Sequence, residues 1–328
     1  MIFGGKIKMR KYLNEEITKE EAIKLFDLKG SKLMELFTVA NEVREKYCGN
    51  EIHYCTITNA RSGRCSEDCK FCAQSAHYNT NIKEYGLKKN EILFEEYKRA
   101  ENLKSENFGL VTSGRSIKKG SAEFEQIKTF FNNTDKTCKP CASIGLLTEE
   151  EAKELKENGL VRYHNNLQTS VDKYSELVAT THSIEDRIES IKNAKKAGLK
   201  ICSGGIIGMG ETHEDRVNMA FKLKELDVDS IPLNILNPIK NTPHGNREIL
   251  TVDEILKTIA IYRLILKDKG IKIAAGRETI LKDFMGLAFM SGANGMLVGG
   301  YLTVKGRSEE EDYRFIKNLK LLWSEKNG

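Results

Sequence analysis

The sequence predicts an α/β fold of the TIM type, a (β/α)8 barrel with an N-terminal helical extension. Two observations carry this. Short apolar stretches near residues 53–58, 108–112, 140–145, 161–167, 199–204, 230–236, 271–275 and 295–298 make eight segments with the composition of buried parallel strands. Between and after them, the S/T-x-x-D/E start signal precedes apolar-periodic helices at Thr148/Glu151, Ser183/Asp186, Thr212/Asp215, Thr251/Glu254 and Ser308/Glu311. Strands alternating with helices eight times close into a barrel, with an open doubly wound sheet as the alternative.

Residues 1–50 read as the helical extension and 51–328 as the barrel. In the extension, Thr18 and Glu21 form a capping box ahead of an apolar stripe at Ala22, Ile23, Leu25 and Phe26, and a second helix spans about Ser31 to Tyr47. Glycines at Gly159, Gly198 and Gly270 follow helices where a left-handed residue ends the last turn.

The 328 residues hold 52 basic and 47 acidic side chains, so the net charge of +5 is small and both signs are interspersed, which gives no footprint for nucleic acid. The opening MIFGGKIKMRKYLNEE has no apolar run of signal-peptide length, and no stretch of about eighteen apolar residues occurs, so neither export nor a membrane span is expected. The expectation is a cytoplasmic protein whose eight cysteines serve metal binding before disulfides.

Ser62–His77, SGRCSEDCKFCAQSAH, is the chemically informative stretch. It places Cys65, Cys69 and Cys72 in a C-x3-C-x2-C run. Three thiolates around a four-iron cubane leave one iron open to another ligand. The competing reading is structural zinc, with His77 completing a Cys3His set. With the aromatic Phe71 before the last cysteine, the run resembles the signature of the radical S-adenosylmethionine (SAM) superfamily. That resemblance implies a 4Fe-4S cluster whose open iron holds SAM and, when reduced, cleaves it to a 5'-deoxyadenosyl radical.

A second set of cysteines, Cys138, Cys141 and Cys202, falls at the third and fifth strands. If their side chains share the barrel interior they can converge on a second metal centre; a structural pair with an accidental neighbour is the alternative. Cys48 and Cys55 read as structural. His164, Asn166, Gln168, Asn234 and Arg277 lie at the ends of strands, where polar groups are costly unless they bond a ligand or one another.

The order of C-x3-C-x2-C, YHNNLQTS, CSGGIIGMGE, PLNILNPIKNTP, AGRE and GAN resembles the biotin synthase family along nearly the whole chain. The resemblance implies a homodimeric radical SAM barrel, fed by a flavodoxin- or ferredoxin-type electron donor, that inserts sulfur between C6 and C9 of dethiobiotin. The sulfur comes from an auxiliary iron-sulfur cluster. It also implies that Cys65, Cys69 and Cys72 hold the SAM cluster, and that Phe71, Asn166, Gln168, Arg187 and Ile206 face SAM. His164 and Asn234 would contact dethiobiotin, and Cys141, Cys202 and Arg277 would face the auxiliary cluster.

The chain departs from that pattern. Gly109 stands where better-known members carry an auxiliary-cluster cysteine, His164 and Gln168 replace other polar residues, and Cys138 is an added thiol. The expectation is therefore a four-iron auxiliary cluster on Cys138, Cys141 and Cys202 with an extra sulfide, in place of a 2Fe-2S cluster. Rival enzymes are radical SAM barrels of the iron-only hydrogenase maturase or methylornithine synthase kind; the non-enzymatic rival is an iron-sulfur or zinc carrier.

Overall fold

The computed structural model describes residues 9–303 and 306–323. The opening residues 1–8, read above as part of a segment without a signal-peptide run, lie outside the described residues. The strands are β1 His53–Arg61, β2 Asn107–Thr112, β3 Lys139–Ser143, β4 Arg162–His164, β5 Lys200–Cys202, β6 Gly205–Ile207, β7 Ser230–Ile235, β8 Gly270–Ile273 and β9 Gly295–Leu297. The helices are α1 Lys19–Lys24, α2 Gly30–Cys48, α3 Asn90–Asn102, α4 Ala122–Asn132, α5 Glu149–Glu157, α6 Tyr174–Leu177, α7 Ile184–Lys196, α8 His213–Glu225, α9 Val252–Leu266, α10 Met285–Met290 and α11 Glu309–Trp323.

All pairings between these strands are parallel and the ring is closed: β1 lies between β2 and β9, and β5 and β6 both meet β7. β5 and β6 are two halves of one stave, so the nine strands among the described residues make the eight staves of a TIM-type barrel. The stave breaks at Ser203–Gly204 opposite Pro232, whose missing N–H removes a donor from β7 at that point. The broken backbone finds another partner: the Gly204 N–H donates to Asn166 Oδ1 at 2.9 Å.

Helix starts follow the sequence signals with one exception. Thr18, Thr148, Ser183 and Thr212 form complete capping boxes, and Ser308 and Glu311 make both reciprocal bonds at 2.9 and 3.2 Å. Thr251 makes no cap bond to the helix backbone because Glu254 is drawn away to Arg216 Nη1 at 2.9 Å and His213 Nε2 at 2.7 Å, while Thr251 turns to Asp253. Gly159 and Gly198 have φ of +101° and +79°, the left-handed closure expected; Gly270 is the first residue of β8 and closes nothing.

Ahead of β1, α2 packs on α9 and α1 on α8, covering the outside of the barrel. Arg263 of α9, fully buried, donates to the carbonyls of Gly292, Lys267 and Lys269 and to Asn294 Oδ1 at 2.6–2.9 Å, and so ties the segments that lead into β8 and β9 together. No helix among the described residues is long and apolar enough to cross a membrane.

Candidate active site inside the barrel

A cavity of about 470 Å³ occupies the barrel interior, and the inward residues of nearly every stave line it. Side chains alternate along a strand, so one parity of each strand faces in. On β1 these are Cys55 and Ile57, on β3 Cys141 and Ser143, on β4 Arg162 and His164, on β5 Cys202, on β7 Pro232 and Asn234, and on β8 Lys272.

The loop after β1 closes one end of the cavity with Cys69, Phe71 and Cys72. Its fold is set by short bonds: Cys65 N donates to Gln74 O at 3.0 Å, Ala76 N to Cys65 O at 2.8 Å, and Ser75 Oγ to Glu67 O at 2.6 Å. Lys70 N to Val178 O at 2.8 Å and Thr180 N to Asp68 Oδ1 at 2.9 Å tie it to the segment before α7. His77 is turned elsewhere: its Nε2 meets the Ser66 carbonyl at 2.9 Å. Among the described residues no three His, Cys, Asp or Glu side chains gather around a single ion position. A tetrahedral zinc ion needs such a grouping, with sulfurs about 2.3 Å from one point; a cubane, which takes each cysteine at a different iron, does not. Burial pushes the Cys69 thiol up to about 12 and Cys72 to about 11, a cost to the thiolate form that a bound iron would offset.

Of the residues expected to face SAM, Phe71, Asn166, Gln168, Arg187 and Ile206 all line the cavity. Asn166 Oδ1 is taken by Gly204, as above. Gln168 has a φ of +75°, bridges to Gly205 through its backbone, and leaves Oε1 buried with no partner among the described residues. Arg162 likewise leaves Nε buried and unpartnered. Two orphaned polar atoms on cavity-lining residues are sites a ligand would satisfy. Asn234 is partly spent on the fold, donating to Gly205 O at 3.2 Å and accepting from Ala275 N at 3.1 Å. His164 sets Nδ1 3.3 Å from Cys202 Sγ, and burial lowers its pKa to about 4, so the ring is neutral.

Two expectations are corrected. Cys138 does not face the cavity: it is buried in the outer apolar core, beneath Tyr97, whose hydroxyl donates to the Cys138 carbonyl at 2.7 Å. The reason is parity, since residues three apart on an extended chain point to opposite sides, and Cys141 points in. Cys55 supplies the third inward thiol instead, joining Cys141 and Cys202. Arg277 is also outside: fully buried, it pairs with Asp312 Oδ2 at 2.6 Å and Glu278 Oε1 at 2.9 Å and so pins α11 to the turn after β8. Lys272 occupies the cavity in its place, with Nζ 2.9 Å from Cys55 Sγ. Burial works against the charge on this amine, yet the sulfur of Cys55 beside it holds its pKa above the usual value. β2 brings Gly109 and no thiol to the cavity wall, and a Cβ there would lie 3.0 Å from Ile57 Cγ2, so a side chain would require that methyl to give by a few tenths of an ångström.

Residues 60–223 match the family model of the Radical SAM superfamily, and residues 232–322 that of the Biotin and Thiamin Synthesis associated domain. A biotin synthase of Clostridium botulinum (strain Hall) is 47% identical over 313 residues, 94% of this chain and 96% of its own length. The chain belongs to the biotin synthase family. Another member, from Carboxydothermus hydrogenoformans, is 44% identical over 93% of this chain and 94% of its own. Among solved structures, a methylornithine synthase superposes with a TM-score of 0.80 at 18% identity, covering 95% of this chain and 96% of that one. An [FeFe]-hydrogenase maturase from C. hydrogenoformans gives 0.79 at 18% identity over 95% and 76%. At these identities the two structures share the fold, while the family membership makes the chain a radical SAM enzyme that works with a 4Fe-4S cluster and SAM.

The joint between β5 and β6 yields an expected result. A Cβ at Gly204 would stand 2.1 Å from the Pro232 carbonyl oxygen. Gly204→Ala should therefore push β7 outward, cost about 2–3 kcal/mol and disturb Asn166 and Asn234 together, read as a lower midpoint in thermal unfolding with weakened SAM binding.

Proposed function

We propose that this enzyme converts dethiobiotin to biotin by inserting sulfur between C6 and C9. The observation carrying this is one cavity reached by two cysteine sets: the C-x3-C-x2-C loop at the mouth, and Cys55, Cys141 and Cys202 within the barrel. Six residue steps along β1 lead from Cys55 to the strand's end at Arg61, a path of roughly 20 Å at about 3.3 Å per residue. Substrate in the space between would meet a radical from one side and sulfur from the other.

The donor set fits iron-sulfur groups. Cys65, Cys69 and Cys72 would hold the cluster that binds SAM; Cys55, Cys141 and Cys202 would hold an auxiliary four-iron cluster carrying an extra sulfide, with Lys272 and Arg162 offsetting its charge. When bound, these groups supply the electron for SAM cleavage and the sulfur atom. The chain's own residues position and exclude water: Gln168 and Arg187 offer polar contacts to SAM, Asn234 one remaining amide N–H to the ureido ring, and His164 a neutral imidazole beside the sulfur of Cys202. Reduction by a flavodoxin or ferredoxin in the cytoplasm, a homodimeric state, and a functional unit spanning 51–328 with residues 1–50 as its cover complete this reading.

Anaerobically reconstituted protein should hold about eight irons per chain, twice the content of one cubane, and form 5'-deoxyadenosine only with dethiobiotin present and biotin in step with it. A Mössbauer spectrum showing four irons plus a 2Fe-2S centre would overturn the four-iron assignment. Dethiobiotin-independent turnover without biotin would overturn sulfur insertion.

A further inference from the structure

Arg187, in the first turn of α7, has five N–H donors. Four are engaged among the described residues: Nε with the Tyr174 hydroxyl, Nη1 with Asn165 Oδ1 at 2.9 Å and the Asn166 carbonyl at 3.1 Å, and Nη2 with His182 Nε2 at 2.9 Å. One Nη2 N–H remains, together with the charge, on a residue that lines the cavity.

The contact with His182 fixes more than the arginine. An arginine can only donate, so His182 Nε2 must accept and Nδ1 must carry the ring proton. That proton points at Glu67 Oε2, 2.8 Å away, and the two side chains are only 4% and 8% exposed. Glu67 sits between Cys65 and Cys69 in the cluster loop, where the same Oε2 also accepts from Thr181 Oγ1 at 2.9 Å and Arg115 Nη1 at 3.3 Å. The ring stands edge-on to Tyr174, 5.8 Å between centroids, so the arginine's two supports brace each other. Burial, and then the Arg187 charge, lower the His182 pKa and keep the ring in the neutral form this chain of bonds requires. A carboxylate, an imidazole and a guanidinium thus run in line from the cysteine loop to the cavity.

We propose that His182 is a positioning residue for SAM, linking Glu67 of the cluster loop to Arg187 and aiming the remaining guanidinium N–H at the carboxylate of SAM bound to that loop's cluster. The proposal rests on the SAM-cluster reading of the C-x3-C-x2-C loop. It assigns to His182 the registration of two parts of one site: the loop that fixes the iron and the helix that fixes the anion.

The test uses full-length, cluster-reconstituted protein with His182→Ala and His182→Gln. Iron content is measured first, and SAM is then titrated against the EPR signal of the reduced cluster. The glutamine amide keeps an acceptor and a donor spaced much as the two ring nitrogens are, so it can still face Arg187 and Glu67. His182→Ala should keep parent iron content, need about tenfold more SAM for the same spectral change, raise KM for SAM alike, and hold kcat within about threefold; His182→Gln should recover most of the affinity. Parent affinity in His182→Ala overturns the proposal. So does equal impairment of both variants, which would mean packing alone, and so does loss of iron from His182→Ala, which would make the residue a support of the loop. Failure of the underlying reading looks different, because the parent protein itself would then show no spectral response to SAM.

Discussion

Cys55→Ala is expected to cleave SAM at close to the parent rate and to make no biotin, while Cys138→Ala keeps both activities. Both thiols are free, one within β1 and the other one residue ahead of β3, so composition does not separate them. Geometry does. Cys55 lines the cavity with Cys141 and Cys202 and has Lys272 Nζ 2.9 Å from its sulfur, whereas Cys138 lies in the apolar layer outside β3. Removing one of three thiol ligands from a cluster should cost more than the about 10–100-fold typical of losing an outer-shell partner, so biotin formation should fall beyond that range. Cys138→Ala removes a small buried group and should lower stability by about 1 kcal/mol without touching the chemistry. Parallel quantification of 5'-deoxyadenosine, biotin and iron checks both variants. Loss of biotin in Cys138→Ala with retention in Cys55→Ala would restore the ligand set that the C-x2-C spacing suggests.

That contrast shows where the sequence is a sufficient guide and where it is not. The eight staves could be read because buried parallel strands and capped helices leave local signatures, and those signatures are physical consequences of the same burial. Thr251 shows the limit: its motif is present, but Glu254 gains a buried arginine and a histidine from another helix, and these outbid the cap. Cys138 and Arg277 fail for a related reason. A side chain's direction depends on strand parity and on where the strand ends, and Arg277 lies past the end of β8 in a turn that aims it at Asp312. Parity was the available signal for Cys55 and Lys272, since each shares its strand's inward face. Nothing local announces the link from Glu67 through His182 to Arg187, whose members are separated by up to 120 residues and meet only because the loop after β1 is tied to the segment before α7.

Cys65→Ala should abolish SAM cleavage altogether, and with it every later step, while His77→Ala should leave cleavage near the parent rate. The paired outcome separates a cubane from zinc. In a Cys3His zinc site the histidine is a ligand equal to the cysteines, so both variants would lose the metal. Here His77 is exposed and spends Nε2 on the Ser66 carbonyl, a bond whose loss loosens the loop without removing a ligand. Cys65 is anchored from both sides through its backbone, N to Gln74 O and O from Ala76 N, so alanine can keep the loop's path and the variant isolates the sulfur. The remaining Cys69 and Cys72 would leave two irons without a protein ligand, and a cubane held by two thiolates has neither the stability nor the single open iron that SAM needs. The readout is the reduced cluster's EPR signal with 5'-deoxyadenosine beside it: both gone in Cys65→Ala and both present in His77→Ala. Equal loss in the two variants would show that imidazole is a ligand and that the loop holds one ion.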